Sequence, residues 1–134
     1  MERLILDTTV LVSAERSTTG VIDVVGDDDD VAIAAITLAE LLVGVRLASG
    51  KRRTARAAYV DAVAGTLNIE DYTASVAAAH ADLLAHVWRQ GRPRGAHDLI
   101  IAATATATDR TLVTADARGF DDLPGLSMRS VSAP

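Results

Sequence analysis

Four acidic residues stand where a carboxylate can do more than solubilise a surface. Asp7 directly follows the apolar run Leu4-Ile5-Leu6, and Glu40 comes four residues after a second run, Val31 to Ile36. Asp98 opens an apolar stretch rich in alanine and isoleucine, and Asp116 lies just beyond Leu112-Val113-Thr114. In an open parallel sheet, strand ends and the starts of the helices that follow share one edge, where ligands bind. Acids from distant parts of the chain can converge there. Two carboxylates about 5 Å apart repel by about 3 kcal/mol at an effective dielectric near 20, so four together call for a counter-charge. The chain has no cysteine, and His80 and His86 fall on different faces of any helix that carries both. Hard oxygen donors then suit Mg²⁺ or Mn²⁺ better than zinc. Such an ion polarises a phosphoryl oxygen, lowers the pKa of a bound water and steadies the leaving oxygen, so the chemistry implied is metal-assisted phosphodiester hydrolysis.

Positioning these acids requires strands and helices in alternation, and the sequence has that pattern. Arg3 to Leu6, Val31 to Ile36, Leu67 to Ile69, Thr111 to Thr114 and Ser127 to Val131 read as strands, the first two continuously apolar as in strands covered on both faces. Thr8 to Arg16 reads as a short helix and Val21 to Gly26 as a second piece before the acidic loop Asp27 to Asp30. Thr37 is expected to open a helix with Leu38, Leu41, Leu42 and Val45 on one face, with Glu40 in its first turn. Further helices are expected over Lys51 to Gly65, Thr73 to Gln90 and Asp98 to Asp109, the second ending near Gly91 and Pro93. The reading is an α/β fold of one domain over residues 1–134, a central parallel β-sheet with helices on both faces.

Composition narrows the function further. The chain has 134 residues, of which 49% are hydrophobic and 23% charged, enough for a core without disulfides or structural metal. No apolar run approaches the ~18 residues of a membrane span, and Glu2 and Asp7 sit where a signal peptide would be basic and apolar. A soluble, cytoplasmic protein is expected. Its net charge of −5 argues against a generic polyanion-binding surface.

The stretches Leu4 to Leu11, Thr37 to Gly44, His97 to Ala105 and Leu112 to Asp116, with Phe120 following, together resemble the PIN domain, and more narrowly the VapC toxins of bacterial VapBC toxin–antitoxin modules. The resemblance spans nearly the whole chain, with the motifs in the family's order. It implies a PIN-like fold and a Mg²⁺-dependent endoribonuclease, with Mn²⁺ as an alternative ion, that cuts structured RNA such as tRNA or rRNA and stops translation. By this resemblance Asp7, Glu40, Asp98 and Asp116 form the catalytic set. Asp7 and Asp98 are then the primary metal ligands, Asp116 supports the ion, and Glu40 is a ligand or helps activate water. Asp116 holds a position where the family also accepts Asn. Thr9 and Thr114 match hydroxyl positions that orient the acids. The resemblance also implies a homodimer and a cognate VapB-type antitoxin that blocks the acidic pocket.

Simpler roles exist for the same residues. Thr37 and Glu40 have capping-box spacing, Asp98 is a plausible helix N-cap, Asp7 could form an Asx-turn, and Asp116 could be a turn residue before Gly119. Gly44 shares the Glu40 face one turn on and could permit close backbone approach or simply ease packing. Five basic residues and no acid lie between Arg46 and Arg56: Arg46, Lys51, Arg52, Arg53 and Arg56. They read as a rim for RNA phosphates or an acidic partner, or as a solvated helix start, and Arg89, Arg92 and Arg94 form a smaller patch of the same kind. Aromatic residues are only 3% of the chain, so base stacking is a poor model of recognition. A haloacid-dehalogenase-like phosphohydrolase would want a second Asp where Thr9 stands and a lysine near the phosphate, yet the only lysine is Lys51. The non-enzymatic alternative is an inert module of the same fold that binds RNA or an antitoxin.

Overall fold

The computed structural model describes residues 1–16 and 26–131; the piece expected over Val21 to Gly26 lies, Gly26 apart, outside them. Strands β1 (Arg3–Leu6), β2 (Asp30–Ala34), β3 (Asn68–Glu70), β4 (Thr111–Thr114) and β5 (Met128–Ser130) form one sheet. Their order is β3-β2-β1-β4-β5, and every pairing is parallel. Between them run helices α1 (Thr8–Arg16), α2 (Ala35–Leu47), α3 (Gly50–Thr66), α4 (Ala74–Gln90) and α5 (Ala96–Ala107). The expected α/β architecture with a central parallel sheet is present.

The apolar strands alternate between two cores. Leu4, Leu6, Val31 and Ile33 pack with Val10, Leu11, Leu41, Val45, Val60 and Val63 from α1, α2 and α3. Ile5, Ala34 and Leu112 turn the other way, onto Val76, Leu83 and Val87 of α4 and the Leu99–Ala105 face of α5. The central strands β1, β2 and β4 are therefore buried on both faces, the physical reason for uninterrupted apolar runs, while the edge strands β3 and β5 are more exposed. Chain order reverses at β1: the chain leaves it toward β2 and β3, then crosses to β4 on its other side. That reversal opens a crevice at the carboxyl end of the sheet.

At the opposite end, Arg110 is almost fully buried. Its Nη1 donates to Leu4 O (3.2 Å), Asp30 O (3.0 Å) and Asp30 Oδ1 (3.0 Å). Asp30 also takes Arg3 Nη1 (2.7 Å) and Asn68 Nδ2 (2.9 Å). Arg110 and Asp30 thus tie β1, β2, β3 and β4 together at their starts, and Asp30, expected in a loop, begins β2.

Two helix starts differ from expectation. α2 begins at Ala35, so the second strand ends at Ala34 and Glu40 lies in the second turn. No side-chain cap marks that junction, and the capping box at Thr37 and Glu40 does not form. α5 begins at Ala96 with Gly95 as its N-cap, which places Asp98 inside the first turn and not at the cap. Among the described residues no helix is long and apolar enough to cross a membrane.

Candidate active site

Asp7 is the best-anchored of the four acids. It sits between β1 and α1, with its backbone N–H still bonded to Val113 O (3.1 Å) and only 2% of the residue exposed. Oδ1 accepts from Thr9 Oγ1 (2.6 Å) and from the Val10 N–H (3.2 Å), so Asp7 also caps α1. Oδ2 accepts from the fully buried Thr114 Oγ1 (2.7 Å). Both hydroxyls are relays: Thr9 Oγ1 accepts from the Ala115 N–H and Thr114 Oγ1 from the Asp116 N–H, each at 3.0 Å. A hydroxyl that accepts from a backbone N–H has its proton free to donate, which fixes the direction of both bonds toward the carboxylate. Burial pushes the Asp7 carboxyl above its ordinary range, against the opposing pull of its hydrogen bonds from Thr9, Thr114 and Val10.

Glu40 reaches the crevice from α2. Its Oε1 accepts from Thr8 Oγ1 (2.8 Å), and Oε2 stands 3.4 Å from His97 Nδ1. Sequence reasoning missed Thr8; its only signal was adjacency to Asp7, because the partner lies 32 positions away. His97 borders Asp98 in sequence and meets Glu40 in space.

Asp98 differs from the other three acids: no donor among the described residues hydrogen-bonds its carboxylate. The carboxylate lies against two glycines. A Cβ on Gly119 would come within 2.5 Å of Oδ2, and one on Gly95 within 3.2 Å. Its carboxyl is pushed above the ordinary range first by burial, then by the like charges of Asp7, Glu40 and Asp116, with His97 opposing. The four predicted acids therefore share one electrostatic neighbourhood. Asp7, Glu40 and Asp98 line one cleft together with Thr8, Thr9, Val12 and Ser13.

Asp116 is engaged differently. It caps the short 3-10 turn Ala117–Gly119 through the Arg118 N–H (3.3 Å) and binds the Arg118 guanidinium with both oxygens, Nε at 3.0 Å and Nη2 at 3.2 Å. That guanidinium holds the Asp116 carboxyl below its usual range.

The donor set is all oxygen, and Asp98 is a carboxylate under like-charge pressure with no hydrogen-bond partner among the described residues, so the residues present fit a hard divalent cation. Among the described residues, however, no group of three or more His, Cys, Asp or Glu side chains stands in a metal-holding arrangement. Asp7 is committed to two threonines and Asp116 to an arginine, so a cation has to compete for at least one of them.

The basic residues divide. Arg46, Lys51, Arg52 and Arg53 are exposed and make no ion pair among the described residues. Arg56 instead packs across Gly44, which a Cβ there would meet at 3.5 Å, and pairs with Glu15 at 3.5 Å. Arg92 binds Asp122 (3.2 Å) and Arg94 the Asp121 carbonyl, so the smaller patch is largely tied to a loop.

The chain matches known proteins over most of its length. The family model described as PIN domain matches residues 4–126. A ribonuclease VapC1 of Rickettsia felis is 28% identical over 131 residues, covering 97% of both chains. A tRNA(fMet)-specific endonuclease VapC of Shigella flexneri is 31% identical over 94 residues, 70% of each chain. Among solved structures, VapBC2 of Rickettsia felis bound to a promoter DNA fragment superposes with a TM-score of 0.86 at 26% identity, covering 97% of this chain and 99% of that one.

Proposed function

The chain belongs to the PIN domain family as a VapC-type ribonuclease, and on that premise we propose that it is a Mg²⁺-dependent endoribonuclease that cuts structured RNA, tRNA or rRNA, and so halts translation. The observation that carries this reading is Asp98: a carboxylate without a hydrogen-bond donor among the described residues, under the like charges of Asp7, Glu40 and Asp116 at the carboxyl end of a parallel sheet.

In this reading Asp7, Asp98 and Asp116 hold the ion, with Mn²⁺ able to replace Mg²⁺, and Glu40 ligates it or orients the attacking water. When bound, the ion supplies Lewis-acid activation of the phosphoryl oxygen and stabilises the leaving oxygen. Thr9 and Thr114 keep both Asp7 oxygens aimed by donating to them. Thr8 does the same for Glu40, and His97 borders its other oxygen. Arg46, Lys51, Arg52 and Arg53 give RNA phosphates a free basic rim; Arg56, tied to Glu15, contributes less. With few aromatics, recognition rests on backbone charge and RNA shape.

The partner expected is a VapB-type antitoxin, since the solved relatives include VapBC complexes. A homodimer is the expected state of the toxin. Apolar side chains available for such contacts include Val43 and Leu47 on the outer face of α2 and Trp88, 76% exposed, near the end of α4.

One observation favours a second reading, a PIN-fold module that binds RNA or antitoxin without cutting: Asp116 is occupied by Arg118. The family assignment removes the reason for the haloacid-dehalogenase-like reading. Incubation with total tRNA and rRNA decides between the first two. Cleavage with Mg²⁺, its loss with chelator, and its loss in Asp98→Asn with circular dichroism unchanged establish the nuclease; intact RNA under all conditions establishes the binding module.

A further inference from the structure

Arg118 is an exposed side chain whose one carboxylate partner among the described residues is Asp116. Its side chain is 89% accessible, yet its backbone N–H, Nε and Nη2 all converge on Asp116. It projects from the 3-10 turn directly after β4, the turn whose Gly119 backs onto the Asp98 carboxylate. Among the described residues, Asp7 accepts from two threonines and the Val10 N–H, Glu40 meets Thr8 and His97, and Asp98 has no donor, whereas Asp116 beside them is paired with a guanidinium. A fork of two N–H donors on a carboxylate has the same geometry as a fork on a phosphate.

Resting on the metal-dependent reading above, we propose that Arg118 is a phosphate-binding residue held in reserve: it neutralises Asp116 while the site is metal-free, and it turns to an RNA phosphate once the carboxylate is engaged by the divalent ion. Three features support the exchange. The guanidinium is solvent-exposed, so moving it opens no cavity. Its partner set is local, within two residues, so the turn need not refold. The acidic cleft repels RNA in the absence of a cation, and a cation released from Asp116 at its rim is placed to offset that repulsion.

The exchange makes ion and RNA binding mutually reinforcing, and linkage requires each to raise the other's affinity by the same factor. Removing Arg118 has two opposed effects. The competing cation leaves Asp116, so Mn²⁺ binds more tightly to the free protein. RNA gains less from Mn²⁺, because one phosphate contact is missing.

Mn²⁺ binding is measured by isothermal titration on wild type, Arg118→Met and Arg118→Lys. RNA binding is measured with a phosphorothioate-substituted RNA, shown by gel to be intact after each titration, with and without Mn²⁺. Arg118→Met is expected to tighten Mn²⁺ binding about two- to fivefold, the strength of an exposed ion pair, and to reduce the Mn²⁺-dependent gain in RNA affinity by a similar factor. Arg118→Lys should fall between, since it keeps the charge and loses the fork. Unchanged or weakened Mn²⁺ binding in Arg118→Met overturns the inference while leaving the nuclease reading intact. Failure of the wild type to bind Mn²⁺ at all overturns both.

Discussion

Replacing Asp98 with Asn should make the metal-free protein more stable while destroying its function. The wild-type carboxylate feels like charges from Asp7, Glu40 and Asp116 and has no hydrogen-bond donor among the described residues. Glu40 is shared with Thr8 and His97 and Asp116 is neutralised by Arg118, so Asp7 is the dominant repulsive neighbour. Two carboxylates roughly 5–10 Å apart at an effective dielectric near 20 repel by roughly 2–3 kcal/mol, and partial exposure of Asp98 reduces this to about 1 kcal/mol. Against it stands a favourable interaction with the α5 N-terminus of about 0.3–1 kcal/mol. The upward shift of the Asp98 carboxyl decides the sign, because it means that the charged form is disfavoured on balance. Asp98→Asn should therefore gain on the order of 1 kcal/mol at neutral pH in chelator, about 2–5 °C in melting temperature. The gain also depends on pH. A carboxyl raised in the folded state holds its proton there longer than in the unfolded chain, so wild-type stability falls as pH rises from the unfolded value of 3.8 through the raised one. The difference between the two proteins should vanish below that window and be full above it. With Mg²⁺ at a hundred times its dissociation constant, the wild type gains about 2.7 kcal/mol and the variant little, so the order of stabilities inverts. Thermal melts at several pH values, with chelator and with Mg²⁺, test all of this. A variant less stable than wild type in chelator at pH 7, or equally stabilised by Mg²⁺, refutes the reasoning.

Other consequences concern the supports of the site. Thr114→Val removes a buried donor to Asp7 Oδ2 and the acceptor of the Asp116 N–H; the expected cost is about 1.5–3 kcal/mol by chemical denaturation, with weaker Mn²⁺ binding by calorimetry. Thr8→Val should leave stability within about 1 kcal/mol of wild type but lower the cleavage rate, because Glu40 Oε1 loses its donor. If Arg52 and Arg53 contact phosphates, replacing both with Ser should flatten the plot of log affinity for cleavage-resistant RNA against log salt by about 1.4, from about 0.7 per single-strand contact. A slope equal to wild type removes these two residues from the interface.

The fold was legible because both faces of the sheet are covered. Burial on two sides demands uninterrupted apolar strands, and Leu4 to Leu6 and Val31 to Ala34 show it directly. The start of α2 was not legible: Ala34-Ala35-Ile36 passes from strand to helix with no capping or turn residue between them. Asp7 and Asp116 could be placed because each follows a strand, and Asp98 because it lies in the first turn of α5; Glu40 lies one turn deeper in α2 than its sequence suggested. What holds them could be read only in part. Thr9 and Thr114 both donate to Asp7, as the resemblance implied, but the capping of α1 by Asp7 and the grip of Thr8 on Glu40 depend on side-chain rotamers and on contacts across the chain. Arg56 looked like part of the basic rim; its pairing with Glu15 joins α3 to α1, a contact across the chain that gave no sequence signal. The Arg118 fork on Asp116 gave no sequence signal beyond two charges at close spacing.

Everything turns on whether side chains from β1 and α5 share one ion. Anomalous diffraction from crystals soaked in Mn²⁺ answers this directly. A single strong peak between the Asp7 and Asp98 carboxylates, absent in Asp98→Asn crystals, is the result expected. A peak confined to other acids, such as Asp27 to Asp30, or none at saturating Mn²⁺, would mean that these carboxylates do not form a metal centre.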